Sequence, residues 1–576
     1  MRRSRQGKTL RVALRFVPPL LVLCLALPVL SGFLGTIGPA LGYLPALNGK
    51  AVSLAIFEQF FAEPGILRSI GLSLASGLLA TGLAFALTFL FVAAYAETVI
   101  FSRLQTFLAP LLSIPHASVA FGLACLLAPS GLVIRAFSPW ATGWDRPPDL
   151  QILNDSLGLT MIMALVLKEI PFLFLMALSA LPQIPVRRSR QLMAGLGFGP
   201  LSAFLIACGP LLYRQLRLPV LAVLAFSVSV ADVAIILGPQ LPAPLAVRIT
   251  TWMADPDLHN RFIGSAGALV QIAILIVSVF IWRVGEAIAG TGLRLLALSG
   301  RRGRKDHGVR VLFLLTMGVC SAMVFASLFG LVLWSVAGLW PFPDFWPNSI
   351  SLGSWTRLAP QMAPALVTTV TVALLSGLFS LVLVVLMLWA QTLNETEPMK
   401  HLVTGLIYLP LIVPQLSFVF GLQVLVLSLG LQPGLVILVL VHMIFVFPYI
   451  YLSLKDPWFS LDRRYDQLSL SFGASPWRTL WAIRLPLLVK PVLTALAVGL
   501  AVSIGLYLPT VLIGAGRLTT ITTEAVALSS GGDRRVIGVY ALVQALLPFA
   551  GFLIASLLPA LIDPQRLKLE NRVDQD

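Results

Sequence analysis

The chain has 576 residues, of which 58% are hydrophobic and only 11% charged, with a mean hydropathy of +0.93. A soluble domain carries about 25% charged residues, so this composition excludes a water-soluble globule and makes the bilayer the solvent. The formal charge of +16 and the pI near 10.2 would suit a nucleic-acid binder. Here the basic residues gather in a few short loops and no recognition fold is visible, so membrane orientation accounts for them and no nucleic-acid partner is expected.

Lipid admits only helices or closed barrels, and a crossing helix needs about 20 apolar residues. The apolar runs are too long for barrel strands, and about twelve of them follow one another. The first, 12–34, follows a basic start of Arg2, Arg3, Arg5, Lys8 and Arg11. No A-x-A site succeeds it, so it reads as an uncleaved first span with a cytoplasmic N-terminus. The segment 35–67 then faces outward, and spans two and three run over 69–94 and 105–128. The third contains Pro115-His116-Ala117-Ser118-Val119-Ala120-Phe121-Gly122-Leu123. The fourth, 157–181, holds Lys168 and Glu169 near its middle. As helix neighbours these two point in different directions, so they need not pair with each other.

A basic loop follows, with Arg187, Arg188 and Arg190, then Gln191-Leu192, Gly197, Pro200 and Pro210-Leu211-Leu212. The fifth span, 216–238, carries Asp232 in its outer part, and the sixth covers 263–286. Arg301-Arg302-Gly303-Arg304-Lys305 forms a basic linker, taken as 291–310, between a first unit at 1–290 and a second at 311–576. Spans seven and eight follow at 311–336 and 363–390, with 337–361 outward between them.

The ninth span, 403–429, repeats the third. Pro414-Gln415-Leu416-Ser417-Phe418-Val419-Phe420-Gly421-Leu422 matches it in Pro, Ser, Phe, Gly and Leu at an offset of 299. The tenth, 433–454, holds His442 and is followed by Arg463-Arg464, then Gln467-Leu468, Gly473, Pro476 and Pro486-Leu487-Leu488. These match the first basic loop at an offset of 276. The eleventh and twelfth spans cover 490–513 and 537–561, and Arg566, Lys568 and Arg572 form a basic tail. With twelve crossings, all these basic loops fall on one side, so both termini are expected in the cytoplasm. Both units start on that side, so the repeat is parallel, with a pseudo-two-fold along the membrane normal. The fold class is thus all-α integral membrane, two parallel six-helix repeats.

Ionisable groups inside spans mark transport paths by default. His116, Lys168, Glu169, Asp232, Gln415 and His442 are therefore candidate path residues; the competing reading is polar groups hydrogen-bonded between helices. His116 and Gln415 occupy matching places beside Pro115 and Pro414. Cys24, Cys125, Cys208 and Cys320 are scattered and read as small apolar fillers, and no His/Cys/Asp cluster has metal-ligand spacing.

The loop after the tenth span carries Gln467, then Gly473, Ser475-Pro476-Trp477-Arg478 and Ile483-Arg484-Leu485-Pro486. It resembles the EAA loop of ABC importer permeases, E-A-A-x3-G-x9-I-x-L-P, with Gly473, Ile483, Leu485 and Pro486 at the required spacing. Gly473, lacking a Cβ, suits a sharp turn between two short helices, and Ser475-Pro476 suits a helix start. Trp477 offers contact area to a partner groove. The competing reading is an interfacial amphipathic helix without a partner. Glutamine stands in place of the glutamate at Gln191 and Gln467, so the salt bridge to an ATPase that the resemblance implies lacks its acid and a hydrogen bond is what glutamine could offer. In the first loop only Gly197 and Pro210 keep the pattern, since Gln191 stands for the acid and Ala207-Cys208-Gly209 replaces I-x-L.

The resemblance covers nearly the whole chain. Double-length chains of this kind resemble the fused thiamine and iron(III) uptake permeases, and Tyr507 to Gly532 looks closest to the YnjC-like branch. The resemblance implies the type I importer (MetI-like) fold in a bacterial inner membrane. It also implies coupling loops at about 187–215 and 455–489, separate ATPase subunits, two copies, and an extracytoplasmic solute-binding protein. No cofactor, nucleotide site or enzymatic activity is expected of the chain itself: Gly7-Lys8-Thr9 lacks the glycine a P-loop needs at position 2, where Arg2 stands. A secondary transporter with six-plus-six helices is the competing class, and genomic or biochemical association with an ATPase separates the two.

Overall fold

In the computed structural model the described residues are 16–108, 111, 113–300, 302–303, 305–394 and 405–562. The basic start, the tail bases Arg566, Lys568 and Arg572, and Arg301 and Arg304 of the linker lie outside them. The principal helices are α1 (Val17–Ala40), α2 (Ile66–Tyr95), α3 (Val99–Leu108), α4 (His116–Leu127), α5 (Leu159–Ala180), α6 (Val186–Gly195), α7 (Pro200–Ala207), α8 (Gly209–Ser229), α9 (Asp232–Leu237) and α10 (Asn260–Leu298). After the linker come α11 (His307–Val336), α12 (Gly353–Asn394), α13 (Gly405–Ile412), α14 (Leu416–Ser428), α15 (Leu435–Ser460), α16 (Arg464–Ser471), α17 (Val489–Gly505), α18 (Leu508–Gly514) and α19 (Arg534–Ile562). Among the described residues there is no strand beyond two isolated bridges.

Ten helices among the described residues are long and apolar enough to cross a membrane. Counting each of two bent pairs as one span gives twelve. The protein is thus an all-α integral membrane chain of about twelve helices. Its helices are apolar all round because one face meets lipid and the other meets protein. On α1, Leu20, Leu23, Leu27, Leu30 and Leu34 form an exposed stripe, while Val22, Ala26, Val29 and Thr36 are buried behind it.

Several boundaries differ from the sequence reading, and the expected fifth and eleventh spans are interrupted between Ser229 and Asp232 and between Gly505 and Leu508. The expected third and ninth spans are broken. The third splits into α3 and α4 ahead of Pro115, and the ninth bends by 96° between α13 and α14 at Pro414. Proline withholds a backbone donor and disfavours helical geometry in the residue before it, so a uniformly apolar run hides a real break. The linker is also shorter than 291–310, because α10 continues to Leu298 and α11 begins at His307.

The two halves of the chain interlock: α1 packs on α14, and α11 packs on α4. Small residues let the backbones touch, the usual device where lipid gives helices no hydrophobic reason to associate. A Cβ on Gly421 would lie 1.8 Å from the Gly32 carbonyl oxygen, and one on Gly122 would lie 2.8 Å from that of Ser327. Gly122 and Gly421 are repeat partners. Hydrogen bonds cross in the same sense: Ser118 Oγ donates to the Ala541 carbonyl at 3.2 Å, and its counterpart Ser417 to Ala268 at 2.9 Å.

Candidate coupling loops and central polar cluster

Both candidate loops are built as helix, glycine turn, helix. In the first, α6 ends with Gly197 N–H donating to the Ala194 carbonyl at 2.8 Å and Phe198 N–H to Met193 at 3.0 Å. In the second, α16 ends with Gly473 N–H donating to Leu470 at 3.0 Å and Ala474 N–H to Ser469 at 3.2 Å. This pair of bonds is the Schellman ending, which needs a residue in the left-handed region. Gly197 and Gly473 supply it, with φ of +83° and +78°. The second helix begins at Pro200 in one loop and Pro476 in the other, and a π-helical turn, Leu480–Arg484, continues the latter.

Apolar side chains project from both loops. Leu192 and Leu196 on the first match Leu468 and Phe472 on the second, and all four are exposed. Gln191 and Gln467 are exposed beside them, as are Pro210 and Pro486, whereas Ile483 and Leu485 are half-buried. Trp477 is 37% exposed and Trp481 66%. Such surface suits a protein partner better than water.

The loops differ in how they are held. In the second, the buried Arg484 pairs with Asp466, donates to the Trp458 carbonyl at 2.8 Å and lies over the Trp458 ring at 4.7 Å. Burial pushes the Asp466 carboxyl above its ordinary range, while the Arg484 and Arg463 charges pull it back. At an offset of 276 these positions are Arg190 and Cys208 in the first loop. There Arg190 donates instead to Ala96 and Ala93, at 2.8 and 3.0 Å, tying the loop to the end of α2.

The candidate path residues separate into two groups. His116, at the start of α4, places Nε2 3.0 Å from Glu169 Oε1 on α5, and its ring lies 4.5 Å from that of Phe226. Asp232, the first residue of α9, is within electrostatic reach of His116. Lys168 turns the other way and donates to the Leu111 carbonyl at 3.0 Å, serving backbone in the break between α3 and α4. Gln415 is half-buried at the bend before α14. His442 stands apart: it is fully buried, with Nδ1 2.8 Å from Ser503 Oγ and Nε2 3.1 Å from Thr510 Oγ1. It joins α15, α17 and α18.

No protein-family model matches the chain. Over 554 residues it is 29% identical to the inner membrane ABC transporter permease protein YnjC of Escherichia coli (strain K12), covering 95% of this chain and 97% of that protein. These residues support a fused ABC permease. The thiamine transport system permease protein ThiP of the same strain is 26% identical over 60% of this chain and 62% of its own length. A third relative, the "Probable sulfate transport system permease protein cysT" of Chlorokybus atmophyticus, is 27% identical over 29% of this chain and 59% of its own length.

Several residues at the two sites carried no sequence signal. Trp481 and Phe472 are more exposed than Trp477, yet neither occupies a fixed position of the loop pattern. Tyr449 and Tyr507 lie within electrostatic reach of Glu169 and Asp232 respectively. Inside long apolar runs they look like any other aromatic residue, and only the rotation of each helix brings them to the cluster.

Proposed function

We propose that the chain is the membrane component of an ABC importer. It forms the path for a small solute between units 1–290 and 311–576 and takes its drive from separate ATPase subunits. The observation that carries this reading is the loop pair. Two helix–glycine–helix loops with the same backbone bonds each present an apolar pair four residues apart. ATPase subunits, one for each loop, would seat on these surfaces, and a solute-binding protein would deliver cargo from the opposite side. Positive charge around both loops supports a cytoplasmic setting for them and for both termini. The Gln191 and Gln467 amides are exposed where an acid stands in the family pattern, and they would hydrogen-bond the ATPase.

His116, Glu169, Asp232 and Gln415 are the path residues this reading favours, with Lys168 and His442 supporting the helices behind them. Two carboxyl groups among tyrosines favour a cationic cargo, in keeping with the thiamine in the name of ThiP. Substituting valine at Gly197 or Gly473 forces a branched side chain into the left-handed region, at a cost of roughly 1–2 kcal/mol before contacts are counted, and tilts the helix that follows. The expected outcome is normal membrane abundance, co-purification of an ATPase with the unaltered chain, and uptake reduced at least tenfold in the double variant. Normal uptake by the double variant, or no ATPase on the unaltered chain, sinks the proposal.

A further inference from the structure

The second loop caps its own helix: Ser475 Oγ accepts from the Arg478 N–H at 3.3 Å. The equivalent position in the first loop is Gly199, which has no side chain to do so. There the acceptor comes from 105 residues away, in the linker, where Asp306 Oδ2 receives the Leu201 N–H at 2.9 Å. The linker holds on at three further points. Gly199 N–H donates to the Arg302 carbonyl at 2.8 Å, and the Arg302 guanidinium lies 4.4 Å from the centre of the Phe198 ring. Gly303, at φ +56°, sits so close that a Cβ would come 2.0 Å from Ser202 Oγ. Asp306 is itself the N-cap residue of α11 and is 9% exposed. One turn on, Arg310 lies over the Tyr95 ring at 5.4 Å, and Tyr95 Oη donates to its carbonyl at 3.0 Å.

We propose that Arg302, Gly303 and Asp306 strap the first coupling loop to α11, so that displacement of this loop passes directly into the second unit. The proposal rests on the coupling reading for its purpose, though not for its geometry. Asp306 caps α7 with its side chain and begins α11 with its backbone, so no flexible residue separates the two helices. α11 packs on α4, whose first residue is His116, so the route from the strap ends at the polar cluster. The second loop, capped by its own Ser475 and clamped by Asp466 and Arg484, works within its own unit. Drive from the two loops is therefore unequal in reach, with the first acting on both units.

The test is hydrogen–deuterium exchange on the full chain in lipid nanodiscs, without any ATPase. An N-cap contributes about 1 kcal/mol, so Asp306→Ala should speed amide exchange over 201–204 about fivefold, and Asp306→Asn, which still caps, should leave it near the unaltered rate. Gly197→Val should alter exchange in the first turn of α11, over 307–311, in the otherwise unaltered chain but not beside Asp306→Ala. Gly473→Val should leave 307–311 unchanged. No effect of Asp306→Ala on 201–204 overturns the cap. A Gly197→Val effect on 307–311 that is absent, or independent of Asp306, overturns the transmission. Failure to find a bound ATPase would leave these results intact and sink only the coupling reading.

Discussion

Arg484 is almost wholly buried, and its one acidic partner among the described residues is Asp466. Taking a charge out of water costs several kcal/mol, and the pair returns this only while both members remain. Asp466→Ala should therefore destabilise the chain by roughly 3–5 kcal/mol, because it strands a buried guanidinium against Trp458 and Trp389. The double replacement of Asp466 by Ala and Arg484 by Met removes the stranded charge and should recover most of the loss. Thermal unfolding of the solubilised protein, followed by tryptophan fluorescence, reads the difference; equal midpoints for single and double variants would contradict it. His442 and His116 make the same point about chemistry that a sequence hides. Both are lone histidines in apolar runs. One has each ring nitrogen against a hydroxyl, while the other faces a carboxylate beside a proline break.

At the scale of elements, the contact between α1 and α14 depends on backbone approaching backbone. A side chain on Gly421 has no flexible neighbour to displace, since its nearest atoms are the Gly32 carbonyl and the Thr36 nitrogen. Overpacking a tight contact costs about 1–3 kcal/mol, and a clash with backbone lies at the upper end. Gly421→Leu should lower the unfolding midpoint and open α1 to protease. Gly82→Leu on α2, where a Cβ meets nothing within 4 Å, should leave both unchanged; if the two variants behave alike, the close contact is not what holds these helices. Apolar length alone made the approximate positions of the twelve spans legible, because a helix of about 20 residues is forced by the bilayer. The breaks before His116 and Leu416 were not, since hydropathy measures what a segment dissolves in and not its direction. The linker was overestimated because basic residues on a helix flank look like loop, although Arg294 belongs to α10 and Arg310 to α11. The matched Gly122 and Gly421 were legible as a repeat, whereas their partners lie in the other unit, and self-similarity says nothing about what each copy touches.

For the whole molecule, the crossed contacts mean that each half of the chain covers its own first helix only in part, α1 against α10 and α11 against α19. α1 finds its groove on α14 and α11 finds its groove on α4, so each unit alone would leave small-residue faces such as Gly32 and Gly35 without a backbone to meet. The buried bonds from Ser118 to Ala541 and from Ser417 to Ala268 would be cut as well. A chain divided between Ser299 and Gly300 tests this arrangement, because the cut leaves Arg302 to Asp306 attached to α11. Expressed alone, either piece should be degraded or retained as aggregate. Expressed together, the pieces should co-purify through a tag on one of them, with the interlock and the strap reforming without a covalent join. Substituting leucine at both Gly122 and Gly421 in the pieces should abolish that recovery while leaving each piece inserted, since insertion depends on apolar length and association on close packing. Stable accumulation of a single piece would mean that each unit is self-sufficient and that the crossed packing is incidental.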